Sequence, residues 1–551
     1  MSTYMKILIN ALFLTLLFVA CQPQSNNKDF TTGIDTLRIA TDIETLASDK
    51  FLGRKPFTEG EKLTLEFLEG KYKEIGLSPG NGNSYFQEVP LVEINPYPEE
   101  LLTIEGGSGS KVELKKGSEF VAFSERVVED VSLESSELVF AGFGIVAPEY
   151  NWNDYEGLDV KGKTVIVLVN DPGFGSDDPD FFKGQTMTYY GRWTYKYEEA
   201  ARQGAAGILI IHDTAPAGYQ WMVVKNSWTG AQLYLEKDPS DYLPAVQGWI
   251  TRDAAIKIFE KSVVDMKNFV ERSREPGFKP VSLGLNASLA IKSKIKRNVS
   301  QNVIGKIEGK KNPHEVIIYT AHWDHLGIGP VVDGDSIYNG ARDNATGVAA
   351  ILEIAREFKR DNPEPDRSVV FLAVTAEEQG LLGSKYYAEN PIHPPQNSIA
   401  VINIDAMSTV GFVKDLTVIG YGQSELEDLA KGFAESQGRV LQPNPEPEKG
   451  YFFRSDHFQF AKIGVPAFYA EGGTIAVDGG KERAKAVNDA YNANAYHQPA
   501  DEFEVGNSDW LFGGIYQDTE LFYLMGKKLA NSELRPKWKP GSEFKAIREG
   551  K

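Results

Sequence analysis

One cysteine in 551 residues, Cys21, rules out a disulfide within the chain and any thiolate zinc finger. Cationic residues are also few: 58 Lys and Arg face 77 Asp and Glu, for a net charge of -19. Binding to a phosphate backbone needs clustered Lys and Arg, so no nucleic-acid partner is expected. The apolar run from Ile7 to Ala20 falls short of the ~20 residues that a bilayer span requires. A Gly-x-Ser-x-Gly nucleophile elbow and a phosphate-binding loop are missing, which excludes the commonest serine-hydrolase and nucleotide-hydrolysing signatures. With seven histidines in the whole chain, those that stand among carboxylates become informative. The length allows two or three domains, and 42% hydrophobic content permits filled cores.

The place of Cys21 explains its presence. Lys6 precedes the apolar run, a small residue (Ala20) precedes the cysteine, and polar Gln22-Pro-Gln-Ser-Asn-Asn follows. This is the layout of a signal peptide. Leu17-Phe-Val-Ala-Cys21 resembles a bacterial lipobox, in which the cysteine becomes the lipidated first residue. The expectation is an exported protein, lipid-anchored to a bacterial membrane on its periplasmic or outer face, with residues 1–21 as signal and 22–33 as tether.

Beyond the tether, Leu65, Phe67, Leu68, Tyr72 and Ile75 recur at helical spacing and Gly76 offers a stop. From 112 to 288 the texture shifts to short strands broken by Gly, Pro and Asp, without metal-ligand spacing. From about 295, apolar strands alternate with amphipathic helices: 315–320, helix 344–360, 369–374, helix 380–389, 400–404, helix 424–437 and 465–469. That pattern predicts an α/β fold with a largely parallel central sheet flanked by helices. Residues 34–111 and 289–532 then form one body, 112–288 a β-rich insertion, and 533–551 a peripheral tail.

Five segments place a ligand-type residue just past an apolar run: Thr320-Ala-His322-Trp-Asp324-His325, Gly340-Ala-Arg342-Asp343-Asn344, Glu377-Glu378, Asn403-Ile-Asp405 and Tyr496-His497. Open sheets of this kind bind ligands outside the carboxyl ends of their strands. A neutral imidazole at His322 suits a borderline ion such as zinc, with Asp324 two residues on to orient it. Asp343 reads equally as a helix cap or as a carboxylate between two ions. Two adjacent glutamates entering one pocket repel unless cations neutralise them; one can then ligate while the other takes a proton. Asp405 alone would be a turn former. Together the set points to a two-metal hydrolase with a spare carboxylate base.

Other patterns carry less. Gly142-Phe-Gly144-Ile-Val-Ala147 imitates a dinucleotide fingerprint, but Pro148 follows and no helix start is offered to a pyrophosphate. The aromatic run Tyr189-Tyr-Gly-Arg192-Trp193-Thr-Tyr195 reads more readily as packing than as a cleft lining.

The five segments, in this order, resemble the M28 metallopeptidases, an aminopeptidase-type family with paired zinc ions. The insertion is similar to a protease-associated (PA) domain through Gly142-Phe-Gly-Ile, Asp159-Val-Lys-Gly-Lys-Thr-Val-Ile-Val and Ala200-Ala-Arg-Gln-Gly204-Ala-Ala-Gly207. The resemblance implies two zinc ions held by His322, Glu378, Asp405 and His497, with Asp343 bridging. It implies Glu377 as general base, Asp324 as the carboxylate behind His322, and Tyr496 as a donor to the oxyanion. It also implies a substrate contact from Arg454 in Arg454-Ser455-Asp456-His457, and a cis peptide between Asp343 and Asn344. Arg342 departs from the family pattern, where a smaller or acidic residue is usual, and so bears on substrate preference. The expected activity is removal of terminal residues from peptides, with an aminopeptidase favoured over a carboxypeptidase. A glutaminyl cyclase and a non-catalytic binding lipoprotein are the remaining alternatives.

Overall fold

Asp35 starts helix α1 (Thr36–Leu46) by accepting the N–H groups of Leu37 and Arg38, two of the donors a helix start leaves unpaired. Thr58 caps α2 (Glu59–Ile75), and Gly76 ends it in the left-handed conformation that glycine tolerates best. The computed structural model describes residues 32–550 except 239, 362 and 363, so Cys21 and the signal and tether readings lie outside the described residues. Among the described residues no helix is long and apolar enough to cross a membrane.

After β1 (Phe86–Pro98) the chain runs through β2 (Leu101–Gly106), β3 (Lys111–Lys115), β4 (Phe120–Phe123), β5 (Asp130–Phe140) and β6 (Thr164–Leu168). Then come α3 (Trp193–Arg202), β7 (Gly207–His212), β8 (Gln232–Leu235), β9 (Val246–Thr251), α4 (Arg252–Phe259) and α5 (Met266–Arg272). β10 (Val281–Ile307) leads to β11 (Asn312–His322), α6 (Thr346–Arg360), β12 (Arg367–Val374), α7 (Leu382–Glu389) and β13 (Ser398–Asn403). The chain continues as β14 (Asp415–Val418), α8 (Leu426–Ser436), β15 (Val440–Pro443), α9 (His457–Lys462), β16 (Ala467–Gly472), α10 (Gly480–Asn494) and α11 (Gly513–Ala530).

The body is the expected α/β sandwich. β12, β11, β13 and β16 lie parallel in that spatial order. β10 adds antiparallel at one side and β14 at the other, with β15 parallel to β14. β12 and β13 are buried along their whole length, which is why they read as unbroken apolar runs rather than alternating ones. α1, α6 and α11 fill one face, and α7, α9 and the 451–453 turn fill the other.

The insertion has its own parallel core, β5–β6–β7–β9, with β4 antiparallel at the edge. The 27-residue β10 ties the lobes together: its start pairs with β2 and β5, its end with β1 and β12. The expected boundaries therefore shift. Leu102 and Ile104, ahead of residue 112, already belong to the insertion's core, and residue 289 falls inside one continuous strand. The tail is not peripheral. Trp538 and Phe544 are buried against the body, Phe544 stacking on Phe452 at 5.8 Å, because this charge-rich segment carries two aromatics that water would otherwise face.

Candidate metal centre

His322 ends β11, Glu377 and Glu378 follow β12, and Asp405 follows β13, so three adjacent parallel strands deliver these candidate ligands at one edge. Asp343 and Asn344 lie before α6, joined by a cis peptide, and His497 follows α10. All five sequence-predicted ligands meet. His322 Nε2 lies 3.1 Å from Asp343 Oδ1 and 3.2 Å from Asp405 Oδ1. His497 Nε2 lies 3.3 Å from Asp343 Oδ2 and 3.1 Å from Glu378 Oε2. Asp343 thus stands between two acid–imidazole groups, and the helix-cap alternative for it falls away because its side chain faces the imidazoles. Glu377 Oε2 approaches His322 Nε2 at 3.9 Å.

The donor set fits divalent cations. Potential ligand atoms of His322, Glu377 and Asp405, and of His325, Asp343 and Glu378, lie within 4.8 Å of one another in each group. Asp324 Oδ2 is buried without a hydrogen-bond partner. Burial pushes the Glu377 carboxyl well above its usual range; His322 opposes the rise, and Asp405 and Glu378 add to it. Against the cost of burial, Glu378 and Asp343 draw the His497 imidazole up to about 10. The pocket concentrates negative charge and demands positive charge in return, which a zinc ion would supply, imidazole and carboxylate oxygen being donors that suit it.

Several side chains hold this geometry. Asp324 was expected to orient His322, and the structure divides that role: His322 Nδ1 faces the Asp324 backbone carbonyl at 3.1 Å, with the carboxylate at 3.8 Å. The carboxylate instead accepts the Glu377 N–H at 3.0 Å. Ser455 donates to Asp405 Oδ2 at 2.6 Å. Asp501 accepts the N–H groups of Arg342 and Asp343 at 2.9 and 3.1 Å. Ala376, Ala406 and His497, each in or beside a ligand segment, adopt the left-handed conformation rare for non-glycines.

Two residues were missed as parts of the site. His325 is fully buried with Nδ1 2.6 Å from Glu378 Oε1. Arg54 is buried and donates to Trp323 O at 2.8 Å, Asn339 O at 2.5 Å, Gly340 O at 2.8 Å and Leu46 O at 2.8 Å. It ties the His322 segment to the Asp343 segment. His325 stood in a quoted motif; for Arg54 the signal was a charged residue in the otherwise apolar Phe51-Leu-Gly-Arg54 turn.

The remaining predicted residues flank the centre. Tyr496 is half-exposed and stacks on His497 at 4.0 Å. Arg342 lies over Tyr491 at 4.2 Å and bonds Asn488 Oδ1 at 3.2 Å, which occupies much of its guanidinium. Arg454 donates to Lys449 O at 2.6 Å and leaves its Nε unpartnered.

Residues 302–511, which contain every one of these motifs, match the model of Peptidase family M28. Over 108 residues the chain is 34% identical to a probable zinc metalloprotease of Pyricularia oryzae, covering 20% of this chain and 21% of that one. Over 138 residues it is 32% identical to aminopeptidase NAALADL1 of Mus musculus, covering 24% and 17%. The chain thus spans about a fifth of the length of these curated relatives. Among solved structures, the aminopeptidase from Aneurinibacillus sp. strain AM-1 aligns with 92% of this chain and 95% of its own, at 19% identity and a TM-score of 0.46. Across residues 302–511 this chain is thus similar to Peptidase family M28.

Proposed function

We propose that the chain is a two-zinc exopeptidase, an aminopeptidase acting on peptides outside the cytoplasm. The observation that carries this reading is Asp343, whose two oxygens face His322 and His497 separately. His322 and Asp405 would hold one ion, His497 and Glu378 the other, with Asp343 shared and His325 orienting Glu378. When bound, the ions supply Lewis acidity toward the scissile carbonyl and toward water.

The residues do the rest. Glu377 accepts a proton as the water oxygen bonds to the carbonyl carbon, and returns it to the amine nitrogen as the C–N bond breaks. Its place is held by the Asp324 bond to its own N–H. The Tyr496 hydroxyl donates to the developing oxyanion, where preorganised donors matter most. Glu377 and Asp405 favour a free α-ammonium at the substrate's end. The PA-like insertion would narrow the cleft to short, unfolded peptides, and lipidated Cys21 would anchor the protein outside the cytoplasm.

The test is digestion of peptides with blocked and free ends, products read by mass. Stepwise loss of the N-terminal residue, abolished by N-terminal acetylation, is the expected result. Loss from the C-terminus would make it a carboxypeptidase, with Arg342 and Arg454 as the first residues to mutate. Ring closure of an N-terminal Gln without chain cleavage would replace the peptidase reading altogether.

A further inference from the structure

The aromatic run 189–195 packs the insertion against the body at the metal centre's edge. Tyr189 meets Phe453 at 6.1 Å and Phe458 at 5.1 Å, and Met187 N donates to Pro447 O at 3.2 Å. Glu198 pairs with Lys462 at 2.7 Å in the same seam. Arg192 follows Tyr189 by three residues and Arg454 directly follows Phe453, so the two arginines flank this contact from the insertion and from the body. Ser455, next in sequence, donates to Asp405, so the seam runs beside the centre.

Arg192 and Arg454 are both half-buried, and each has a buried Nε with no hydrogen-bond partner. Among the described residues neither forms an ion pair with a carboxylate, in a chain of net charge -19. Burial, and then the Arg454 guanidinium, press Arg192 down to about 10, so it is still cationic at neutral pH. Gly218, beside Tyr219 in sequence, lies against the Lys449 side chain, and the Lys449 carbonyl accepts from Arg454, so Tyr219 adjoins the turn that carries Arg454; burial raises its hydroxyl and both arginines oppose that rise. Two like charges in a half-dry seam are costly until an anion joins them, and guanidinium forks match a carboxylate in bidentate geometry.

We propose that Arg192 from the insertion and Arg454 from the body, with Tyr219, form a subsite that binds a carboxylate of the peptide substrate. This rests on the peptidase reading above. The carboxylate is the C-terminus of a short peptide or an Asp or Glu side chain past the cleaved bond. The insertion then contributes directly to substrate selection rather than only walling the cleft.

The test uses the full, zinc-loaded protein and tripeptides sharing one N-terminal residue: free acid, C-terminal amide, and free acids with Glu or Gln at the second position. We expect KM for the preferred acid to be at least about tenfold below that of its neutral counterpart, the scale of a lost charge-assisted hydrogen bond. The acid–amide pair reports the C-terminus and the Glu–Gln pair the side chain. In Arg192→Gln and Arg454→Gln the ratio should collapse toward one, and Arg192→Lys should retain part of it, with folding checked by melting. Equal cleavage of acid and neutral peptides by the unaltered protein overturns the subsite and leaves the peptidase reading standing. Binding of the same peptides to metal-free protein by calorimetry separates the two claims: acid-selective binding there, with no cleavage of any of the peptides by the zinc-loaded protein, upholds the subsite and removes the peptidase reading.

Discussion

The Asp324 carboxylate holds Glu377 by its backbone, accepting the Glu377 N–H at 3.0 Å. Asp324 therefore positions Glu377, the proposed base, as much as it does His322. Asparagine keeps an acceptor oxygen in that place and alanine does not. Asp324→Ala should lower kcat by at least about tenfold, and Asp324→Asn by clearly less. Equal losses in the two variants would mean that the charge, and not the hydrogen bond, is what matters.

Glu377→Gln keeps the shape of the side chain but cannot take a proton. Turnover should fall by about 10²-fold or more while zinc content is unchanged. Near-normal turnover would remove Glu377 from the base role.

Zinc titration of the metal-free protein should saturate at two ions per chain. Asp343→Ala, which removes the carboxylate facing both imidazoles, should weaken both sites, whereas His497→Ala should weaken one. One ion at saturation with full activity would contradict the paired arrangement.

Arg54 offers four hydrogen bonds to carbonyls of three separate segments. Arg54→Met would leave those buried acceptors unpaired, at a cost of about 3–4 kcal/mol in unfolding free energy. Zinc affinity should weaken with it, since Trp323 and Gly340 adjoin the ligand segments. Arg54→Lys should recover little, because an ammonium lacks the planar fork. Unaltered denaturation and zinc binding in Arg54→Met would show that the two segments hold without it.

The Glu198–Lys462 pair ties the insertion to the body, and Tyr189 also donates to Glu198. Although burial works against it, Lys462 holds the Glu198 carboxyl at about 2, below its ordinary 4.5. A depressed carboxyl stabilises the fold above its unfolded value and loses that contribution as pH falls toward the folded one. Acid should loosen the seam between roughly pH 4.5 and 2, seen as rising proteolysis or hydrogen exchange at 187–198. Glu198→Gln should flatten that dependence; an unchanged acid profile in the variant would point to another group.

The sequence by itself determined the α/β body and singled out the five candidate ligands. Unbroken apolar runs such as Val369–Val374 can be satisfied only between two helix layers, and a ligand placed just past such a run is delivered to the sheet's edge wherever the strands end up. It also announced α2 through its helical spacing and Gly76. The tertiary structure alone decided what depends on long-range approach. Arg54 lies 269 residues from Trp323, and its carbonyl partners are backbone atoms that no side-chain pattern reveals. The insertion's edges were misplaced because β10 is one strand shared by both lobes, leaving no break in composition at residue 289. The tail looked peripheral because its charges outnumber Trp538 and Phe544, yet those two rings set its place. Arg192 and Arg454, 262 positions apart and unremarkable as a pair in the sequence, face one seam only because Tyr189 packs on Phe453. Local spacing encodes which residues reach an edge; which edges meet is set by packing between distant segments.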